Sequence, residues 1–409
     1  MINLIENESF ILEHKTAPKY FTRDRFWSFQ TAFLFISSML GKRIQTEIDD
    51  FFAKFHQVPV EIRQVTSSAF TQCREKIKYS AFSTAGWALV QYYYNNFSYK
   101  KYYGLRLLAI DGSIYTLPKT EEMINEFGEN VLSSNGKWIK AQVSFAVDVL
   151  NNICVDAIIG AYRDAEGKQA STHMTKLGEG NLYLFDRGYF GRSFLKEVTD
   201  THCQFCFRVQ RKACREVIKF IASDLKDSID YIKVNGEDIK VRFTKILLDT
   251  GEEEYLVTSL FDTKLFTKSK LKALYHLRWG VEEQFKDMKY AICVENFIGK
   301  KPNSVKQEFF AKILCYNLSM MACKPLIDKL ANKKNKKYKY NMNKRAILAK
   351  IKQSFVNIFF GSREICQVLK DLINTVATES VPIRMGRIYP RGQTLKAKRK
   401  THRAYISVI

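Results

Sequence analysis

The amino-acid sequence predicts an α/β protein with a mixed sheet, a helical N-terminal region and a β-rich insertion. Three observations support this fold class. From residue 105, short apolar segments alternate with amphipathic ones in the order strand, strand, strand, helix, strand, helix, strand. Residues 1–104 instead have the spacing of apolar residues that is typical of helices. Residues 211–264 show short alternating β patterns and are nearly neutral, with 10 Lys and Arg against 11 Asp and Glu.

The N-terminal region, residues 1–104, is expected to be a helical, DNA-binding region. Trp27 to Leu40 is rich in aromatic residues at helical spacing, and Val65 to Ile77 opens with Thr66 and Ser67, which are good helix N-caps. No clear helix-turn-helix signature is present. A plain helical bundle with solvated charges is therefore an equally good interpretation of this region.

The α/β part begins with an apolar run that ends in an acid, Leu105 to Asp111, followed by Gly112-Ser113, which we read as a turn. Two further strands are predicted to form a hairpin at Asn151-Asn152. The remaining predicted elements are, in order, a helix at 166–177, a strand at 182–186, a helix from 191, a strand at 203–209 and a long helix at about 267–291.

Net charge points to a polyanionic partner. The chain has 409 residues, enough for two or three domains, and its 65 Lys and Arg exceed its 42 Asp and Glu by 23. A protein this basic attracts polyanions over long range, so nucleic acid is the first candidate partner. Residues 331–409 form a basic C-terminal region with 19 Lys and Arg against 3 Asp and Glu.

The sequence does not fit a membrane-spanning, secreted or zinc-binding protein well. The longest apolar-looking stretch, Thr31 to Leu40, has ten residues, about half of the roughly 20 that span a bilayer. The first ten residues hold two acids and no basic residue, unlike a secretory signal. Nine scattered cysteines favour reduced thiols and therefore a cytoplasmic protein. A DNA partner would make it nucleoid-associated. Cys203 and Cys206 have CxxC spacing without a second pair, so we expect buried thiols rather than a zinc site.

Two acids end predicted strands of one sheet. Asp111 and Asp186 each follow an apolar run, and ligands of open α/β sheets bind at the carboxyl ends of the strands. Taken singly, each aspartate is more often a turn former than a catalyst.

The long predicted helix adds a third acid on a polar face. Tyr275, Arg278, Glu282 and Lys289 fall within about 60° of arc at about 100° per residue. Such a face is not a core-packing stripe, although a solvated face with an Arg278–Glu282 pair would also account for it. Glu283 would be the next choice for the third carboxylate.

Three converging carboxylates would repel one another unless divalent cations neutralised them. Asp111, Asp186 and Glu282 are therefore candidate ligands of two Mg²⁺ ions, which prefer oxygen ligands and catalyse in-line phosphoryl transfer in pairs. Arg278 and Lys289 are candidates for binding flanking phosphates, and Tyr275 is a candidate for stacking on a base or donating to a phosphate.

The same residues resemble the DDE transposases of the IS-four family of bacterial insertion sequences. The resemblance covers about residues 105–320. LLAIDGSIYTLP and LYLFDRGYFGRSFL correspond to the contexts of the family's first and second Asp, here Asp111 and Asp186. YHLRWGVEEQFKDMK fills every position of its Y-x2-R-x3-E-x6-K signature, with Tyr275, Arg278, Glu282 and Lys289.

The resemblance implies an RNase H-like catalytic core, formed by residues 105–210 and 265–330, with the β insertion 211–264 before the Glu helix. It further implies Mg²⁺ or Mn²⁺ as cofactor, two ions per site, double-stranded DNA as partner in the form of terminal inverted repeats and target, and a homodimer in the end complex. Cut-and-paste transposition through endonuclease and strand-transfer steps is the implied activity. A stand-alone nuclease on the same fold and a DNA-binding regulator from a decayed element are the alternatives.

Overall fold

The structure is a computed structural model. It describes residues 1–278 and 297–325, except 24, 40, 42, 59–62, 64, 133–135, 163 and 249–250, together with single positions and two short strands beyond residue 338. The chain divides into two compact units. The helical unit comprises residues 1–93 and 287–409, and the sheet unit comprises residues 94–286.

Helices are the main elements in the described part of the helical unit, which also contains a pair of three-residue antiparallel strands, β10 (Lys339–Asn341) and β11 (Val381–Ile383). The helices are α1 (Ile2–Ile5), α2 (Glu8–His14), α3 (Phe29–Ser38), α4 (Ile44–Phe55), α5 (Ser67–Arg74), α6 (Ser80–Asn96, reaching into the sheet unit) and α12 (Pro302–Ala322).

Side-chain caps begin several of these helices. The side chain of Thr66 accepts a hydrogen bond from the backbone N–H of Ala69 at the start of α5, as the sequence predicted. Asn7 and Ser28 cap α2 and α3 in the same way. Each cap satisfies backbone N–H groups that have no partner within the helix.

The core of the helical unit is aromatic. Trp27, Phe35 and Phe70 pack with ring centroids 4.7–5.3 Å apart, and Phe33 stacks on Phe82 at 4.4 Å. Such pairs contribute both apolar burial and favourable ring geometry.

One buried ion pair ties α12 to α5. Arg74 Nη1 lies 2.9 Å from Glu308 Oε1, and both side chains are almost fully buried. Glu308 also accepts hydrogen bonds from the backbone N–H groups of Ile298 and Gly299. Because every charge here has a partner, the pair is tolerated in the interior.

Nine strands of the described residues form one mixed sheet in the sheet unit. They are β1 (Arg106–Leu117), β2 (Asn130–Leu132), β3 (Gly136–Asp148), β4 (Ile153–Ala161), β5 (Asn181–Phe185), β6 (Gln204–Val209), β7 (Asp227–Val234), β8 (Glu237–Leu247) and β9 (Glu253–Thr258). The central order is β4-β3-β1-β5-β6. The first three pair antiparallel, whereas β5 and β6 run parallel to β1. These five strands form a mixed sheet, as the sequence predicted.

The predicted hairpin is confirmed. β3 and β4 pair antiparallel up to Asp148 and Ile153, and Asn152 adopts a positive φ of 57° in the turn. The Asp148 carboxylate accepts hydrogen bonds from the N–H groups of Leu150 and Asn151, which fixes the turn.

The predicted turn at Gly112-Ser113 is wrong. β1 continues through Asp111 to Leu117 and pairs with β3 along that whole length, with Asp111 opposite Phe145. The long partner strand β3 supplies hydrogen-bond partners to residues that local sequence assigned to a turn, so tertiary pairing overrides the weak local signal.

The insertion is not a separate sheet. Its last strand, β9, pairs antiparallel with β6, β8 pairs with β9, and β7 pairs with β8. The central sheet therefore runs without a break into residues 227–258. One further helix, α10 (Arg215–Ala222), precedes these strands.

The helices of the sheet unit are α7 (Glu121–Phe127), α8 (Glu166–Leu177), α9 (Arg192–Asp200) and α11, which is described over 268–278. Leu271, Leu274 and Tyr275 of α11 pack in one buried cluster with β1 and β5 residues such as Leu107 and Leu184. The described part of α11, which carries Tyr275 and Arg278, is thereby fixed against β1 and β5.

Among the described helices, none combines the length and apolar character that crossing a membrane requires. Cys203 and Cys206 are both buried, as expected.

Candidate active site

Asp111 and Asp186 lie side by side on neighbouring parallel strands. β1 and β5 pair in the register Leu107 with Leu182 and Ala109 with Leu184. Two residues further along, Asp111 stands level with Asp186, which directly follows β5. Side chains two residues apart along a strand point to the same face. Because Ala109 and Leu184 are paired, Asp111 and Asp186 lie on one face of the sheet, on strands about 4.8 Å apart.

Helix α11 brings two of the signature residues to this place. The hydroxyl of Tyr275 donates a hydrogen bond to Asp186 Oδ1 at 3.3 Å. The Arg278 guanidinium lies 5.6 Å from the centre of the Tyr275 ring, and both side chains are buried, with 3 and 4% of their surface exposed. The sequence predicted that they share one face and that this face is not a core-packing stripe. For Tyr275 and Arg278 the second expectation is wrong, because both side chains are packed in the interior.

Burial makes Asp111 hard to ionise. Burial raises its pKa to about 6, and the negative charges of Asp186 and Glu166 act in the same direction. The N–H of Gly112 and the positive charge of Arg278 oppose this effect. A carboxyl group whose charge is this costly is one that a bound cation would stabilise.

Asp186 has a cationic neighbour, Arg208, that sequence reasoning missed. Arg208 on β6 places Nη1 4.0 Å from Asp186 Oδ1 and Nη2 2.8 Å from Glu254 Oε1 on β9. Glu254 is buried and Arg208 only about one-quarter exposed. The insertion strand thus holds the arginine that faces the second aspartate.

Glu166 and Tyr189 were also missed as site residues. Glu166 was recognised only as the start of a helix, and it is indeed the first residue of α8. Tyr189 lies three residues after Asp186, and its backbone N–H donates to the Asp186 carbonyl. Burial raises the pKa of the Tyr189 hydroxyl, and the charges of Asp111, Glu166 and Asp186 raise it further. Tyr189 could have been suggested from the sequence only by its closeness to Asp186 in the segment DRGY.

The remaining predicted site residues, Glu282 and Lys289, lie outside the described residues, and so does Glu283. Among the residues that the structure does describe, no group of three or more His, Cys, Asp or Glu is arranged to hold a metal ion. The donors that are described fit a hard divalent cation, because Asp111 and Asp186 offer neighbouring carboxylates on a rigid sheet.

A second polar cluster has the pattern of a hydrolase triad. His173 Nδ1 lies 2.6 Å from Asp156 Oδ2, and its Nε2 lies 3.1 Å from Ser144 Oγ. Ser144 and His173 are fully buried, so no substrate reaches the hydroxyl. Burial alone would raise the pKa of Asp156, but His173 and Lys176 hold it below its usual value. The cluster joins α8 to the β3–β4 hairpin and is structural.

Comparison with known proteins agrees with this geometry. The family model described as a transposase DDE domain matches residues 102–318, more than half of the chain. The chain belongs to the family of transposases with a DDE domain.

Within that class, the chain is similar to transposase InsG of insertion sequence element IS4 from Escherichia coli strain K12. The two are 23% identical over 269 residues, which cover 62% of this chain and 60% of the relative. The resemblance to the IS-four type is confirmed.

A solved structure is also similar, the cryo-EM structure of a piggyBac transposase synaptic complex with hairpin DNA. It aligns over 97% of this chain and 87% of that one, at 12% identity and a TM-score of 0.47.

Proposed function

We propose that this chain is a DNA transposase that cuts phosphodiester bonds at the ends of an insertion element and joins the released 3′ ends to target DNA. The observation that carries the proposal is the position of Asp111 and Asp186 at the same level of two adjacent parallel strands, with Tyr275 hydrogen-bonded to Asp186. The family match supports it.

The roles of the residues follow from their chemistry. Asp111, Asp186 and Glu282 would hold two Mg²⁺ or Mn²⁺ ions, which when bound supply activation of the attacking oxygen and stabilisation of the leaving oxygen. Tyr275 orients Asp186 through its hydroxyl. Arg278 and Lys289 would bind flanking phosphate groups as positive charges.

Double-stranded DNA is the proposed partner, because the net charge of +23 attracts a polyanion. We propose that residues 1–104 and the basic region 331–409 contribute DNA contacts outside the catalytic centre, and that residues 105–210 and 265–330 form the catalytic core with the insertion 211–264. Pairing of two element ends implies a homodimer on DNA. With chromosomal DNA as substrate, the protein would act in the cytoplasm at the nucleoid.

Substitution of each acid tests the proposal. Asp111→Ala, Asp186→Ala and Glu282→Ala are each expected to abolish Mg²⁺-dependent cleavage of DNA carrying the element's ends. The exposed Asp224→Ala is the matched control and should cleave as the wild type does. Cleavage that survives in one variant would remove that residue from the metal site.

A second measurement separates a transposase from a nuclease on the same fold. Pre-cleaved ends with a free 3′-hydroxyl are incubated with plasmid DNA, and joined products are counted. A transposase joins the ends, whereas a stand-alone nuclease stops after hydrolysis.

Sedimentation of the protein with one and with two end fragments tests whether it forms a dimer on DNA.

A further inference from the structure

A fourth carboxylate, that of Glu166, lies next to the aspartate pair. Glu166 is exposed and begins α8, whose N-cap residue Ala165 provides no capping side chain. The partial positive charge of a helix N-terminus favours an acid in the first turn. Its Oε1 accepts a hydrogen bond from Gln142 Nε2 at 3.2 Å, and Gln142 is buried in β3. The carboxylate is therefore held in place although it is open to solvent.

Gly112 makes room for this carboxylate. A Cβ atom at Gly112 would lie 3.1 Å from Glu166 Oε1 and 2.9 Å from Gln142 Nε2. Both distances are shorter than ordinary van der Waals contacts. Because Gly112 directly follows Asp111, the missing side chain lets Glu166 approach the backbone beside the first aspartate.

A buried hydroxyl completes the arrangement. Tyr189 is 7% exposed, and within the described part of the chain its hydroxyl has no hydrogen-bond partner. Its ring packs against Phe185 and Phe194, with centroids 5.6 and 5.9 Å away, which fixes the direction of the hydroxyl. Among the described residues, the charges of Asp111, Glu166 and Asp186 act on this hydroxyl.

The chemistry of these groups selects the ligand that they can share. A buried hydroxyl without a hydrogen-bond partner is costly, so a ligand that accepts a hydrogen bond from it is expected. The carboxylates of Asp111, Glu166 and Asp186 repel a negatively charged phosphate oxygen, but they accept hydrogen bonds from a neutral donor. Water both accepts from a phenol and donates to a carboxylate, and buried water typically has two to four polar partners.

We propose that Glu166 and Tyr189 bind the water molecule that attacks the phosphodiester during end cleavage. The inference rests on the proposed function and deepens it. The water oxygen forms the new bond to phosphorus, and its proton passes to the Glu166 carboxylate. The bond between phosphorus and O3′ breaks, and O3′ keeps the electron pair and takes a proton from solvent.

Strand transfer provides the contrast. There the nucleophile is a 3′-hydroxyl at the end of DNA, and its position is set by the bound DNA rather than by a small polar site. Glu166 and Tyr189 are thus expected to serve hydrolysis selectively.

The experiment compares both steps in the full-length protein. Glu166→Gln removes the carboxylate that takes up the proton, and Tyr189→Phe removes the hydroxyl donor, both with little change in shape. Glu179→Gln is the matched control, since Glu179 is exposed beyond the other end of the same helix. For Glu166→Gln we expect end cleavage to fall about 100-fold and strand transfer of pre-cleaved ends to fall less than about threefold, as general-base removal predicts. Tyr189→Phe should show the same selectivity to a smaller extent, and Glu179→Gln should match the wild type in both steps.

Calorimetric titration with Mn²⁺ alone gives a readout independent of turnover. Unchanged Mn²⁺ affinity in Glu166→Gln supports the water site. Equal losses in both steps together with weaker Mn²⁺ binding would make Glu166 a metal ligand and overturn the proposal, as would wild-type rates in both steps. A wild-type protein that neither cuts nor joins would contradict the proposed function, and this inference with it.

Discussion

Neutralising Asp111 is expected to stabilise the protein while destroying its activity. Burial raises the pKa of Asp111 to about 6 in the folded chain, against about 3.9 in an unfolded one. The folded state therefore binds this proton more tightly. Stability is lost as pH rises from about 4 to about 6, and above pH 6 the loss is complete. A rise of about two units corresponds to about 3 kcal/mol.

The substitution Asp111→Asn removes the charge and keeps the shape. In chelator-containing buffer at pH 8, the variant should have a free energy of unfolding up to about 3 kcal/mol above that of the wild type. The difference should shrink towards zero as pH falls to about 4, because the wild-type carboxyl then becomes neutral as well.

Urea unfolding between pH 4 and 8, followed by circular dichroism, measures this difference. The exposed Asp224→Asn serves as control and should not change stability in a pH-dependent way. A variant no more stable than the wild type at pH 8, or a gain that does not vary with pH, would refute the burial argument. Adding Mn²⁺ should then stabilise the wild type more than Asp111→Asn, since only a carboxylate there helps to bind the ion.

Three further substitutions test buried contacts, one within the helical unit and two within the sheet unit. Arg74→Ala leaves Glu308 buried without its cation, and we expect a loss of about 3–5 kcal/mol in urea unfolding. Gly112→Ala puts a methyl group 2.9 Å from the nearest side-chain nitrogen; we expect a loss of about 1–3 kcal/mol and slower end cleavage in the DNA assay. Asp227→Ala deprives the fully buried Arg242 of its carboxylate, and a lower melting temperature should report a loss of about 3 kcal/mol.

Each of these has a control of the same residue type. Arg63→Ala breaks a surface pair in which the arginine is 58% exposed, so the free energy of unfolding should hardly change. Gly86 lies within α6 with open space around it, and Gly86→Ala should stabilise the helix by about 0.5–1 kcal/mol. Asp230 is exposed on the same strand as Asp227, and Asp230→Ala should change stability by less than about 0.5 kcal/mol. Equal effects of a substitution and its control would contradict the assignment of the buried partner.

Local patterns in the sequence were sufficient to predict many of the helices and strands of the sheet unit. The helix predicted at 166–177 has the bounds Glu166–Leu177, because its apolar residues recur at helical spacing and Gly178 ends it with a positive φ. Asp186 follows its strand as predicted, since a run of five buried residues ends there. The common face of Tyr275 and Arg278 also followed from helix geometry alone.

Features that depend on distant pairing could not be predicted in this way. The continuation of β1 past Asp111 requires β3 as partner, and the attachment of β9 to β6 joins residues some 50 positions apart. The partners of Arg208 and the approach of Glu166 to Gly112 likewise arise only when separate elements pack. A single chain gives no local signal for such contacts.

The unbroken run of strands from β1 to β7 has a mechanical consequence. Inter-strand hydrogen bonds link the aspartate-bearing strands to residues 227–258 through every intervening strand, and Arg242 donates to the carbonyls of Leu260 and Phe266 just before α11. A segment that is hydrogen-bonded in this way does not rotate as a separate domain. DNA bound to residues 227–258 would therefore lie at a fixed distance from Asp111 and Asp186.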